Sequence, residues 1–405
     1  MKKRLLLLAL LSIIVLAGCG GQPDLSDKIN DLARPYAFSL LRWEMDMISQ
    51  EIDQHVRRPW ADDSTDPAVV RRYFDFVARE NGLRQQIQNI QGGFAAGSVS
   101  ELESQLDAVG KERLAVERQA EEVLARQMSL AAAELGIYNP LDSYWSVRAT
   151  FPPVSLRLQE PPQLLVVSPR QKIDRVKSVT LDSSTSPVDA AALEDAVAAL
   201  DLSAIVVGLG GIATYPSFVN NNYGLATALD IAAEEWFHQY LFFRPLGFRY
   251  ALDELGFDQP LDIFIMNETL AGMVAGELAA RVNELFYGEN QQTSIVRTAQ
   301  PAYDFNAEMR RTRATVDVLL ADGKVAEAEA YMESRRQEFA QHGYYIRKLN
   351  QAYFAFYGSY ANLPGFGNPI GDDLQALRKK SATLAEFVQT ASALTSRDAL
   401  SQAVR

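Results

Sequence analysis

The stretch LATALDIAAEEWFHQYLFF, residues 225–243, holds the spacing on which the fold prediction depends. We interpret it as a single helix, Leu225–Phe243. Glu234 and His238 are four residues apart, so their side chains project from one face of a helix. Glu235 lies about 100° further round, at the flank of that face. The stretch therefore predicts a helix that presents two carboxylates and one imidazole together.

A second stretch, MNETLAG at residues 266–272, falls on a later predicted helix, Asp262–Phe286. Its Glu268 follows His238 by 30 residues. An imidazole and an acid four apart on one helix, with another acid on the next helix, are a donor set that binds divalent metal ions. These side chains are therefore a candidate metal site.

The two helices together resemble the gluzincin group of zinc metallopeptidases, in which an HExxH helix is followed by a helix that carries Asn-Glu. The resemblance covers about residues 200–288 and extends to predicted bacterial aminopeptidases. It implies a zinc ion held by His238 and Glu268, with Glu235 as the catalytic base. Glu234 stands where the family has its first histidine ligand, so the implied metal ligands are Glu234, His238 and Glu268.

The resemblance also implies a place for the substrate. In gluzincins an edge strand precedes the zinc helix and pairs with the backbone of the bound peptide. A predicted strand, Ile212–Phe218, occupies this position here, directly after a cluster of glycines. The residues expected to line the peptide are Gly211, Ile212, Ala213, Thr214 and Tyr215.

Two departures from the family pattern bear on activity. With Glu234 in place of a neutral imidazole, two carboxylates cancel the charge of Zn²⁺, so the ion polarises its bound water less. Gly272 lies four residues after Glu268. At this position thermolysin-like enzymes often have an acid that orients the first histidine. The sequence leaves two alternatives, a zinc peptidase and a catalytically inactive peptidase-like protein that serves as a binding or scaffold module.

The first 19 residues, MKKRLLLLALLSIIVLAGC, have the three parts of a bacterial lipoprotein signal. A basic start precedes an apolar run, Leu5–Leu16, which at about a dozen residues is shorter than the about 20 that span a bilayer. The small residues before Cys19 resemble the lipobox, which implies lipidation of Cys19. We expect a signal peptide at 1–18, a lipidated tether at 19–25, and a protein anchored outside the cytoplasmic membrane, or at the outer membrane of a two-membrane cell.

The composition of the chain limits the classes of molecule that it is expected to bind. The formal net charge of the chain is −12, which disfavours nucleic acid and anionic lipid faces. Cys19 is the only cysteine, so no disulfide forms within the chain. We expect a peptide or protein substrate, and contact with the membrane through the lipid alone. We expect no hydrophobic run after the signal to reach spanning length.

The whole chain is predicted to be α+β and predominantly helical. A helical bundle or hairpin is expected at 26–137, and a metallopeptidase-like domain at 138–405. That domain comprises a small mixed sheet at 142–218, active-site helices at 225–286 and C-terminal helices at 303–405. The first three predicted helices are Ser26–His55, Pro67–Ile90 and Ser98–Leu135.

Other chemistries find less support. No Gly-x-Ser-x-Gly motif is present, and nothing points to a glycosidase, although two carboxylates would suffice for one. A solute-binding protein would alternate strands and helices through two lobes, unlike this chain. His342 is expected to end a helix before Gly343, as the alternative to its recruitment as a ligand. The next predicted helix, Tyr344–Tyr357, is expected to pack through Tyr345, Leu349, Tyr353 and Phe356.

Overall fold

The computed structural model describes residues 24–40, 42–45, 47, 64–140, 150–254, 260–288, 303–357 and 369–405. The predicted signal peptide, Cys19 and most of the tether lie outside these residues. Within them, helices predominate over six short strands that form two three-stranded sheets. The chain is therefore α+β and mainly helical, as predicted.

The N-terminal helices are α1 (Leu25–Ala33), α2 (Pro67–Gln91) and α3 (Val99–Glu134). The sequence prediction of one helix over Ser26–His55 is wrong, because α1 ends at Ala33 and Pro35 follows in a 3-10 turn. Helices α2 and α3 pack along each other as the predicted hairpin. The Ser98 hydroxyl accepts the Glu101 N–H at the start of α3 and so caps the helix.

The six strands are β1 (Leu156–Leu158), β2 (Gln163–Pro169), β3 (Lys177–Leu181), β4 (Leu202–Gly208), β5 (Gly211–Ile212) and β6 (Ser217–Val219). The first sheet is antiparallel, in the order β3-β2-β4, and α4 (Pro187–Ala198) packs on it. In the second sheet, β6 lies between β1, to which it is parallel, and β5, to which it is antiparallel.

The predicted strand Ile212–Phe218 is in fact two strands, β5 and β6, joined by a tight turn. Thr214 N–H donates to Ile212 O at 2.8 Å, and the Tyr215–Pro216 peptide bond is cis. Pro216 has no N–H to contribute to a strand ladder, which explains the break. Of the expected peptide-binding residues 211–215, only Gly211 and Ile212 lie in a strand.

The core of the protein is built on α5 (Leu225–Phe242) and α7 (Leu261–Val282), with α6 (Pro245–Glu254) packed against both. A π-helical turn extends α7 to Tyr287. Helix α6 was not predicted from the sequence. The expectation that no run after the signal reaches spanning length is wrong, because Leu261–Tyr287 is long and apolar enough to cross a membrane. However, 67% of its most apolar stretch is buried inside the protein, as in a core helix.

The C-terminal helices are α8 (Phe305–Ala321), α9 (Val325–Gln341), α10 (Gln351–Tyr357), α11 (Pro369–Lys380), α12 (Leu384–Ala391) and α13 (Arg397–Val404). The prediction of a helix from Tyr344 is wrong. Residues 344–350 instead cover the open edge of β4, where Arg347 donates to Val206 O at 3.0 Å and Asn350 to Ala204 O at 2.9 Å. Tyr345, expected to pack, is 86% exposed, whereas Leu349 is buried.

Candidate metal centre

Helices α5 and α7 together carry all the predicted metal ligands. On α5, Ala233 and Phe237 are fully buried in the core, and the neighbouring Glu234 and His238 occupy the adjacent face. On α7, Met266 and Leu270 are likewise in the core, on either side of Glu268. Close packing of the two apolar faces therefore brings the polar residues beside them together.

The predicted ligands do converge. One potential ligand atom from each of Glu234, His238 and Glu268 lies within 4.8 Å of the other two. Nε2 of His238 is 3.8 Å from Oε1 of Glu268. Tetrahedral ligand atoms at about 2.1 Å from zinc are about 3.4 Å from one another. Side-chain movements of about 1 Å would therefore bring these three ligand atoms to such a geometry. This group can hold a metal ion.

Asn267 contacts the imidazole of His238 from the side opposite Nε2. The Asn267 amide nitrogen lies 3.0 Å from Nδ1 of His238, and Asn267 Oδ1 is buried without a hydrogen-bond partner among the described residues. Turning the amide over would let Oδ1 accept the Nδ1–H. His238 would then present the Nε2 lone pair to an ion, as metal-bound histidines do. The unpaired Oδ1 of Asn267 is therefore what a histidine that binds a metal through Nε2 would require beside it.

Tyr250 holds the same imidazole by stacking. Its ring lies 5.8 Å from that of His238 at an angle of 22°, and it also stacks on Phe264 at 5.3 Å. Sequence reasoning missed Tyr250 because it lies on α6 and belongs to no motif. Asn267 was recognised only as part of the Asn-Glu motif, with no role of its own.

Glu235 lies directly beneath strand β5. A Cβ atom on Gly211 would lie 2.6 Å from Ile231 Cγ2 and 2.7 Å from both Cγ and Oε1 of Glu235. No side chain fits into that gap, so glycine is required for β5 to rest on the helix. The predicted base, Glu235, is therefore in contact with Gly211, the first of the residues expected to line the peptide.

Two carboxylates of this centre have raised pKa values. Burial raises the pKa of Glu234 to about 7, His238 lowers it, and Glu268 and Asp230 raise it further. Burial, then Glu234 and Glu268, raise the pKa of Glu235 well above its usual value. A divalent cation would favour the ionised forms of Glu234 and Glu235, because it stabilises ionised carboxylates at close range.

His342 is the other histidine among the described residues. His342 follows the last residue of α9 and Gly343 has φ +85°, as the capping prediction required. Its ring stacks on Tyr303 at 3.7 Å, and among the described residues it is not part of the metal-ligating group. His55 falls outside the described residues. Gly272 has no carboxylate with which to orient an imidazole. Asn267 instead makes a polar contact with the imidazole of His238.

Comparison with protein-family models, curated proteins and solved structures finds no match for this chain.

Proposed function

We propose that this chain is a lipid-anchored, extracytoplasmic zinc peptidase with a gluzincin-like active site in which Glu234 replaces the first histidine. The convergence of Glu234, His238 and Glu268 within 4.8 Å carries the proposal. The orphaned oxygen of Asn267 next to His238 supports it, since a metal-bound imidazole needs an acceptor at Nδ1.

Zinc bound here would polarise the scissile carbonyl and lower the pKa of a bound water. Glu235, on the same helix as two ligands, would take a proton from the attacking water and return it to the leaving amine. Burial and the neighbouring carboxylates raise the pKa of Glu235, which makes it a stronger proton acceptor than an ordinary carboxylate. Tyr250 and Asn267 would hold the His238 ring in place throughout.

The open edge of β5 is suited to an extended peptide. The carbonyl of Val219 faces β1, because it accepts the Gln159 N–H at 3.0 Å. The Asn220 N–H donates at 2.9 Å to the carbonyl of Gly210, the residue directly before β5. Antiparallel alternation then directs the N–H and C=O of Gly211 away from β6. A peptide bonded to Gly211 would lie alongside Glu235, which contacts the same glycine.

A second candidate function is peptide or protein binding without hydrolysis. The presence of Glu234 favours it, because Zn²⁺ with two carboxylates carries no net charge and activates water weakly. Both candidates use the same metal ligands and the same strand. They differ in whether Glu235 transfers a proton.

Hydrolysis of a peptide mixture by the zinc-loaded protein, followed by mass spectrometry, decides between these functions. We expect cleavage that falls by about 10²-fold or more in Glu235→Gln, with zinc still bound. Glu277→Gln, the same change elsewhere in the protein on α7, is the control, and Arg378 is its only partner in an ion pair among the described residues. No cleavage by wild-type protein with a full zinc site would leave the binding function.

The proposed anchor is the lipid on Cys19. Its support is the N-terminal pattern alone, a basic start, an apolar run and small residues before the cysteine. Mass spectrometry of the mature N-terminal peptide should find Cys19 as the first residue and acylated. An unmodified Cys19, or cleavage at another position, would remove the anchor from the proposal.

A further inference from the structure

Strand β5 is attached to α5 at two points. At its first residue, Gly211 rests directly on Ile231 and Glu235. Beyond its last residue, the turn that follows is tied to α5 by Gln239, which lies one helical turn after Glu235. The two attachments together determine how close the open edge of β5 lies to the candidate catalytic base.

Gln239 makes the second attachment through its amide nitrogen. Nε2 donates to Thr214 O at 2.6 Å and to Ser217 Oγ at 2.8 Å. A carbonyl oxygen only accepts, so the nitrogen must face Thr214. Gln239 Oε1 is then buried, and it has no hydrogen-bond partner in the described part of the chain. Leaving a buried acceptor unpaired is unfavourable, so this orientation is retained at a cost.

Loss of the amide would remove the hydrogen bonds that attach the turn after this very short strand to α5. Gly211 and Ile212 are the only residues of β5, and among the described residues β6 is the only strand that pairs with it. If the turn at 213–216 moves away from α5, the outward N–H and C=O of Gly211 move away from Glu235. A peptide backbone bonded to that edge would then no longer be aligned with the metal ligands.

We propose that Gln239 is a positioning residue that holds the edge of β5 in register with Glu235, and that it thereby gives the site its preference for extended peptides over single-residue ligands. This inference rests on the proposed function. It assigns the substrate class, an unstructured peptide long enough to pair with Gly211, and a specificity role to a residue that touches neither metal nor substrate.

Two hydroxamate probes test this proposal on the zinc-loaded full chain. Acetyl-alanine hydroxamate reaches only the metal, whereas acetyl-tetra-alanine hydroxamate also carries backbone for β5. We expect the longer probe to bind wild-type protein about tenfold more tightly, as one or two added backbone hydrogen bonds imply. In Gln239→Met this ratio should fall to about twofold or less, with the shorter probe's affinity unchanged.

The control is Gln163→Met. Gln163, in the first sheet, also donates its amide nitrogen to two acceptors, the backbone carbonyls of Ser183 and Thr185. Its ratio should equal that of the wild type. Ser217→Ala, which removes one of the two Gln239 acceptors, provides a milder variant if Gln239→Met does not fold.

Two results in Gln239→Met and Ser217→Ala would overturn the proposal: an equal loss of affinity for both probes, or an unchanged affinity ratio. An affinity ratio near one in wild-type protein would also overturn it. Failure of the proposed function has a different signature. In that case zinc would not bind, or the shorter probe would not bind the zinc-loaded wild-type protein at all.

Discussion

The side-chain amide of Asn267, on α7, lies 3.0 Å from Nδ1 of His238, on α5. This contact connects the two helices that carry the candidate ligands. It also determines which nitrogen of His238 is available, because a hydrogen bond at Nδ1 selects the tautomer at Nε2. Nε2 is the atom that faces Glu268.

Substitution of Asn267 should separate two hydrogen-bonding arrangements. If Oδ1 accepts the Nδ1–H of His238, Asn267→Asp should keep zinc affinity near the wild-type value, because a carboxylate accepts the same bond. Asn267→Leu should weaken it about 10- to 100-fold, the usual effect of removing such a partner. Competition with a chelator measures both affinities. Equal weakening by Asp and Leu would show that the amide donates instead.

The contact between Gly211 and Glu235 predicts an effect of one methyl group. Gly211→Ala would place Cβ within 2.7 Å of Glu235 and Ile231, so β5 must shift away from α5. We expect peptide hydrolysis to fall about tenfold or more, by misplacement of the bound backbone. Gly208→Ala, at the end of β4, meets nothing within 4 Å and should retain activity. Equal activity of the two variants would contradict this packing.

The stability of the metal-free protein should decrease as the pH rises. Burial raises the pKa of Glu234 from 4.5 to about 7, so between these values the folded state binds more protons than the unfolded state. Its stability therefore falls with rising pH across that window. In Glu234→Gln, the slope of the unfolding free energy against pH should be smaller, by the equivalent of up to about one bound proton. Urea unfolding with a chelator present measures this slope. Glu121, whose pKa is also raised to about 7, contributes equally to both proteins.

Metal should reverse this dependence. Zinc binds only the deprotonated carboxylates, so zinc stabilises the protein more as the pH rises. A wild-type decrease that zinc does not reverse, or one that Glu234→Gln leaves unchanged, would place the titrating group elsewhere. The same urea titrations with and without zinc provide the comparison.

The spacing along the chain predicted much of the site. Glu234 and His238 are four positions apart, which places them on one helical face whatever the surroundings. An apolar stripe beside each acid brings the two helices together. Tyr250 and Gln239 were not predicted, because their roles depend on which loop or helix lies opposite. Such contacts are tertiary and leave no periodic signal.

Errors in the fold prediction have the same origin. Ile212–Phe218 has the composition of one strand, yet Pro216 and the turn at Thr214 divide it. Residues 344–350 have helical character, but Arg347 and Asn350 bond to the open edge of β4 instead. In both segments, tertiary hydrogen bonds or a turn override the local preference for secondary structure.

Zinc binding at His238 tests the central claim most directly. After zinc reconstitution and removal of excess metal, elemental analysis should find about one equivalent in wild-type protein and in His342→Ala, the control at the end of α9, but less than about a tenth in His238→Ala. Less than about a tenth of an equivalent in the wild type, or full occupancy in His238→Ala, would contradict a metal centre formed by Glu234, His238 and Glu268.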